Sequence, residues 1–239
     1  TPVLLDIAAA AGDAAAARVR AATGRAAHCI VADITDPAQV TKARDQVLER
    51  FGRVDALINN AAENPKMESG AAFEASRFEH FALERWDREI AVGLTGAFLC
   101  AQAFGTAMAK AGAGSIVNVA SDLAVIAPDQ RLYAVESRTP DQQPVKPVTY
   151  SVVKTALIGL TRYLATYWAD RGVRANAISP GGVYAGQPDE FVARLAERIP
   201  MGRMAREDEY GAAIVFLCSE ASSYMTGQNL VIDGGRSAW

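Results

Sequence analysis

Short apolar runs alternate with amphipathic stretches along the whole of this 239-residue chain, and that alternation limits its possible folds more than any single motif does. The runs fall at 3–7, 28–32, 56–59, 115–120, 173–179 and 230–232. Helical patterns fill the intervals at 13–22, 37–51, 83–110 and from about 149 to 170, with two more helices before the last run. Asp36 followed by Pro37 reads as an N-cap with proline at the first helical position, and Gly52 and Gly112 read as helix stops. Strands that are apolar throughout, rather than on alternate residues, belong to a sheet buried on both faces. With right-handed crossovers this gives an α/β fold: a doubly wound, Rossmann-type parallel sheet in three α/β/α layers. There is no internal repeat and no low-complexity linker, so residues 1–239 read as one domain.

Composition narrows the function by exclusion. A formal net charge of −3 offers none of the concentrated positive charge that nucleic-acid binders need. No window reaches the roughly 20 uninterrupted apolar residues of a membrane span. The alanine-rich start lacks a basic leader and is broken by Asp6 and Asp13, so it does not read as a signal peptide. Cys29, Cys100 and Cys218 are far apart and odd in number, which suits a reducing cytoplasm. They show no metal spacing, and neither do the isolated His28 and His80, so no metal is expected.

The strongest chemical signal is Tyr150-Ser-Val-Val-Lys154, with Ser121 upstream at the end of a strand run. Tyrosine and lysine four apart share one helix face. An ammonium beside a phenol favours phenolate and lowers its pKa from about 10. Such a tyrosine can exchange a proton with an alcohol or carbonyl oxygen, and Ser121 can donate a hydrogen bond that fixes that oxygen. By itself a Tyr-x-x-x-Lys match fits a surface helix with a snorkelling lysine equally well.

The context is more specific. Asp55-Ala-Leu-Ile-Asn-Asn-Ala-Ala62 precedes this pair, Ser115-Ile-Val-Asn-Val-Ala-Ser121 leads into it, and Asn176-Ala-Ile-Ser-Pro-Gly-Gly-Val183 follows. The tail reads Tyr224-Met-Thr-Gly-Gln-Asn-Leu-Val-Ile-Asp-Gly-Gly235. In this order the segments resemble the short-chain dehydrogenase/reductase family over essentially the whole chain. The resemblance implies an enzyme that moves hydride between a nicotinamide cofactor and a secondary alcohol or ketone. It makes Tyr150 the acid/base, Lys154 the partner of the nicotinamide ribose, and Ser121 the group that orients the substrate. Asp33 and Ile34 match the pair bordering the adenine. Asn60 and Ala61 match the turn along the cofactor, with Ala62 where glycine is usual. Pro180, Gly181 and Val183 match the loop at the nicotinamide end. Asp6 ends the first strand, where a carboxylate accepts hydrogen bonds from the ribose 2′-hydroxyl and repels a 2′-phosphate; it points to NAD over NADP, the alternative being a plain helix N-cap. The long helix with small faces, 94–109, and the family's habit imply a homodimer or homotetramer.

Three departures qualify the likeness. The glycine-rich phosphate loop belongs about 20 residues before Asp6. Counting back runs off the chain, so the sequence is expected to lack its first strand and that loop through truncation at the start. Gly93 stands where the family carries an asparagine in the proton path, which suggests close packing or a bend. Residues 122–149 make an unusually long, polar, proline-rich insertion between Ser121 and Tyr150. It is expected to wall the substrate pocket, with Arg131, Arg138 and Lys146 meeting a sugar or polyol-like substrate, or else to be a solvated loop or subunit contact. The polar insertion, Gly93 and the Asp-Gly-Gly-Arg-Ser-Ala-Trp239 ending also look similar to bacterial dehydrogenases of surface-sugar and flagellin-glycan synthesis. Two alternatives stay open: a non-catalytic cofactor-binding or assembly subunit, and an epimerase or dehydratase working through a transient ketone.

Overall fold

A computed structural model describes residues 1–63 and 71–239. The described residues form six strands: β1 (Val3–Asp6), β2 (His28–Val31), β3 (Ala56–Asn59), β4 (Gly114–Val119), β5 (Val173–Pro180) and β6 (Asn229–Ile232). All their pairings are parallel, in one sheet of β1 and β2 and another of order β3-β4-β5-β6. Among the described residues β1 pairs only with β2 and β3 only with β4. Side chains still join the two sheets, because Val3, Leu5 and Ile30 pack with Val54, Leu57 and the buried Val40, Ala43 and Phe104 in one cluster.

The helices start and stop where local chemistry dictates. In α2 (Pro37–Phe51), Asp36 accepts hydrogen bonds from the Ala38 and Gln39 backbone N–H groups, and Gly52 closes the helix at φ 73°. α1 (Ala9–Thr23) is nearly all exposed, with Gly12 its one buried residue. α3 runs from Leu83 to Ala111, interrupted by π-turns at Ala91–Thr95 and Ala101–Gly105, and ends at Gly112 with φ 76°. By length and composition α3 could span a membrane, yet 44% of its apolar window is buried in the protein. Its Ala97, Cys100, Phe104 and Met108 feed three core clusters, which marks it as a core helix. Glycine allows its close approach: a Cβ on Gly96 would stand 2.5 Å from Ile34 Cδ1.

α4 (Val148–Tyr167) lies against β4 and β5, burying Val153, Leu157, Ile158, Thr161 and Leu164. α5 (Asp189–Ala196) and α6 (Gly211–Cys218) follow β5. The insertion is anchored rather than solvated: Leu132 is 1% exposed and packs with Leu195, Ile199 and Met204 beside Tyr133 and Phe191. Gln143 pins it internally, its side-chain amide donating to the Val135 and Arg138 carbonyls and accepting from Val135 N–H. Arg77 donates to the Pro140 and Gln143 carbonyls from outside the insertion.

Candidate active site

Because every strand is parallel, their C-terminal ends share one edge, the usual place for a ligand in a doubly wound sheet. Asp6, Asp33, Asn60, Ser121 and Pro180 all lie at or just past those ends. Ser121 follows β4, is 3% exposed, and receives a hydrogen bond from Tyr150 Oη at 3.4 Å. One turn further along α4, Lys154 is 7% exposed and donates to the Val119 carbonyl at 2.7 Å. An ammonium has three N–H groups, so Lys154 keeps donors for ribose hydroxyls. The structure thus brings Ser121, Tyr150 and Lys154 together as the motif implies.

The charges around Tyr150 differ from the sequence reading. Burial pushes the phenol pKa up, opposed by the hydrogen bond with Ser121, while the Asp122 carboxylate raises it further. The expected lowering by Lys154 is absent in this geometry. Burial, helped by the positive charge of Lys146, brings the Lys154 ammonium itself down to about 8. Its Nζ lies 5.9 Å from the Tyr150 ring centroid, whereas Lys146 Nζ sits over that ring at 3.7 Å. Lys146 is thus a cation of the insertion that reaches the site. Arg131 does not: its side chain is 82% exposed and is held by Asp129, which also binds Arg198.

Two residues missed by the motif reading shape the floor of the site. Asp122 Oδ1 accepts from Ser121 Oγ at 3.0 Å, and its Oδ2 accepts from Arg236 at 2.6 Å in an ion pair buried on both sides. Asp233 holds that tail, its carboxylate accepting from the Gly235 and Ser237 N–H groups. Behind Ser121, Asn59 donates to Asn118 and Asn118 to Thr161, satisfying polar groups in the middle of the sheet. An asparagine inside the apolar run Ile116-Val-Asn-Val119 was the available signal for that chain.

The residues matched to the cofactor are arranged as follows. Asp6 Oδ1 accepts from Ala8 N–H, but α1 is capped by Ala8 without any side-chain bond, so Asp6 is not the helix N-cap. Asp33 Oδ1 is taken up by the Thr35 N–H and hydroxyl, and Ile34 turns inward onto Gly96. Asn60 and Ala61 are exposed past β3. Gly181 donates to the Ile232 carbonyl and accepts from Tyr210 Oη; a Cβ there would stand 2.9 Å from the Asp233 backbone, so glycine is required. Val183 bridges to Ala205. Gly93 lies in the first π-turn of α3, where a Cβ would come within 2.6 Å of Val153 Cγ1. The close packing expected of it is present, in an irregular turn of the helix.

These residues suit a nicotinamide nucleotide at its ribose and nicotinamide ends: a buried lysine with spare donors, a half-buried carboxylate at the first strand end, and a glycine turn under the last crossover. Comparison with known proteins agrees. A family profile described as "Enoyl-(Acyl carrier protein) reductase" matches residues 1–237. The D-threitol dehydrogenase of Mycolicibacterium smegmatis is 38% identical over 211 residues, 85% of this chain and 70% of that protein. Gluconate 5-dehydrogenase from Burkholderia cenocepacia, solved with NADP and tartrate, superposes with a TM-score of 0.83 at 29% identity, covering 99% of this chain and 85% of that one. NAD+-bound xylitol dehydrogenase gives a TM-score of 0.83 at 28% identity, covering 98% and 88%. The chain belongs to the short-chain dehydrogenase/reductase family. It is an oxidoreductase that uses a nicotinamide cofactor to move hydride to or from a small molecule with a secondary alcohol or its ketone.

Proposed function

We propose that the protein oxidises a secondary hydroxyl of a short polyol or sugar-type substrate, or reduces the matching ketone, with NAD(H). Tyr150 exchanges the proton of the reacting oxygen, Ser121 holds that oxygen, and Lys154 binds the nicotinamide ribose. When bound, the nicotinamide supplies the hydride acceptor, and its positive ring favours the phenolate of Tyr150. The observation that carries this reading is the Ser121–Tyr150 hydrogen bond, with Lys146 over the phenol ring and the buried Lys154 near it.

The substrate class rests on relatives named for threitol and xylitol, and on the Ser121 and Tyr150 hydroxyls with the Lys146 and Lys154 ammoniums near them. The preference for NAD rests on Asp6, whose Oδ2 remains free to face a ribose 2′-hydroxyl. Asp33 and Ile34 are assigned to the adenosine side, Asn60 and Ala61 to the turn along the cofactor, and Pro180, Gly181 and Val183 to the nicotinamide side. An oligomer built on α3 and α4 is supported by Phe98, Tyr163 and Tyr167, large apolar or aromatic side chains left 47–61% exposed on those helices. The test is reduced-nicotinamide formation by the full-length protein with threitol, xylitol, gluconate and cyclohexanol, each with NAD+ and NADP+. Turnover of the polyols with NAD+ is expected. Turnover confined to cyclohexanol, or to NADP+, contradicts the substrate or cofactor assignment respectively.

A further inference from the structure

One buried charge at the site has no part in the reading above. Glu89, on the first turns of α3, is 6% exposed, and a glutamate is rarely so buried without a partner or a task. Its Oε1 accepts from Arg85 Nε at 2.7 Å, and its Oε2 accepts from the hydroxyl of Thr149, the residue just before Tyr150. A carboxylate has more acceptor sites than these two bonds use. Glu89 also lines a small cavity shared with Gly93, Thr149, Tyr150, Val153 and Lys154. At about 10 Å³ the cavity is close to the room one water needs, and its wall offers two carboxylates, two hydroxyls and an ammonium as partners. The bare backbone of Gly93 forms one side, and Val153 leaves no space for a side chain there.

We propose that Glu89 is the outer station of the proton path serving Tyr150, reached through a water in this cavity. The proposal rests on the reading of Tyr150 as acid/base. In oxidation the C–H electron pair leaves with hydrogen as hydride to the nicotinamide, and the O–H proton passes to the Tyr150 phenolate. The phenol then gives its proton to the cavity water while that water gives one of its own to the Glu89 carboxylate. Glu89 releases this proton to solvent past Glu63, which shares the cavity wall and is paired with Arg88 at the exposed rim. Phenolate, water and carboxylate are restored, and only substrate and nicotinamide change oxidation state. The groups facing Glu89 are Arg85 on its own helix, Thr149, Tyr150 and Lys154 on α4, Lys146 of the insertion, and Glu63 at the rim. Glu89 is a positioning residue for the path, since it touches neither substrate nor cofactor.

The experiment is Glu89→Gln in the full-length protein, which keeps the shape and an acceptor for Thr149 but cannot carry a proton. Expected is a fall in kcat on the order of tenfold with KM nearly unchanged, recovered by added imidazole and other small proton-carrying buffers, and largely absent in Glu89→Asp. A fall that ignores buffer shows that Glu89 only holds α4 in place, and no fall shows that the path runs elsewhere; either overturns the proposal. Should the glutamine variant fail to fold, kcat of the wild type in H2O/D2O mixtures decides: a curved dependence, from more than one proton in flight, is expected, and a straight line contradicts it. Tyr150→Phe separates the two readings. Its retained turnover would remove Tyr150 as the acid/base, whatever Glu89 does.

Discussion

The two ends of the sheet are built to different standards. From β3 to β6 the strands are paired in succession, β4 and β5 carry Ile116, Val117, Ala175 and Ala177 at 0% exposure, and α4 is buried along one whole face. At the other end β1 and β2 make a two-stranded ladder without a buried residue in either strand, and α1 buries only Gly12. The residues proposed for proton transfer sit on the first unit, and Asp6, Asp33 and Ile34, proposed for the adenosine side, on the second. The placement of Tyr150 against Ser121 is backed by densely buried strands and helix. The proposed adenosine recognition rests on strand ends and turns, where a charge such as Asp6 can act without much of the fold depending on it.

The largest expected effect therefore comes from the tail that closes the first unit. Arg236→Ala leaves Asp122 as an unpaired buried charge beside Ser121, and is expected to destabilise the protein by about 3 to 5 kcal/mol, read by denaturant unfolding. A loss of less than about 1 kcal/mol, as for an exposed pair, would show that the tail is not part of this wall. At the other end, Asp6→Ser is expected to leave the unfolding midpoint unchanged while raising the NADPH-to-NADH ratio of kcat/KM about tenfold, roughly 1.4 kcal/mol. The same contrast would vanish if Asp6→Ser cost stability instead of selectivity. The smallest effect is a pH shift. Lys154 is charged below about 8 and neutral above it, and Lys146 contributes to that lowering. Activity that needs the ammonium declines as pH rises through this value, and in Lys146→Met the decline is expected to move to higher pH by less than a unit. Movement to lower pH in a kcat profile would contradict the repulsion between the two lysines.

What could be read from the chain follows the same division. Strand and helix limits came within a residue or a few of their places because apolar runs, the Asp36-Pro37 start and the glycine stops are local signals. Ser121, Tyr150 and Lys154 were legible because family motifs mark them and helical spacing aligns two of them. Asp122 with Arg236 was not, since the partners are 114 residues apart and meet only when the tail folds over β4. Glu89 left a fainter trace: Glu89, Gly93 and Ala97 recur every four residues and all three are buried, so the pattern set a charge on the inner face of α3. The insertion misled in one respect, because polarity alone does not distinguish Arg131, which Asp129 holds at the surface, from Lys146, which covers the phenol.

The central claim is that Tyr150, backed by Ser121 and Lys154, passes the proton in NAD-linked oxidation of a polyol. It is tested most directly by following NADH formation from threitol or xylitol with wild type and Tyr150→Phe under identical conditions. A loss of kcat of about 10² to 10⁴-fold with unchanged NADH binding is the expected result. Equal turnover by the two proteins would contradict the account.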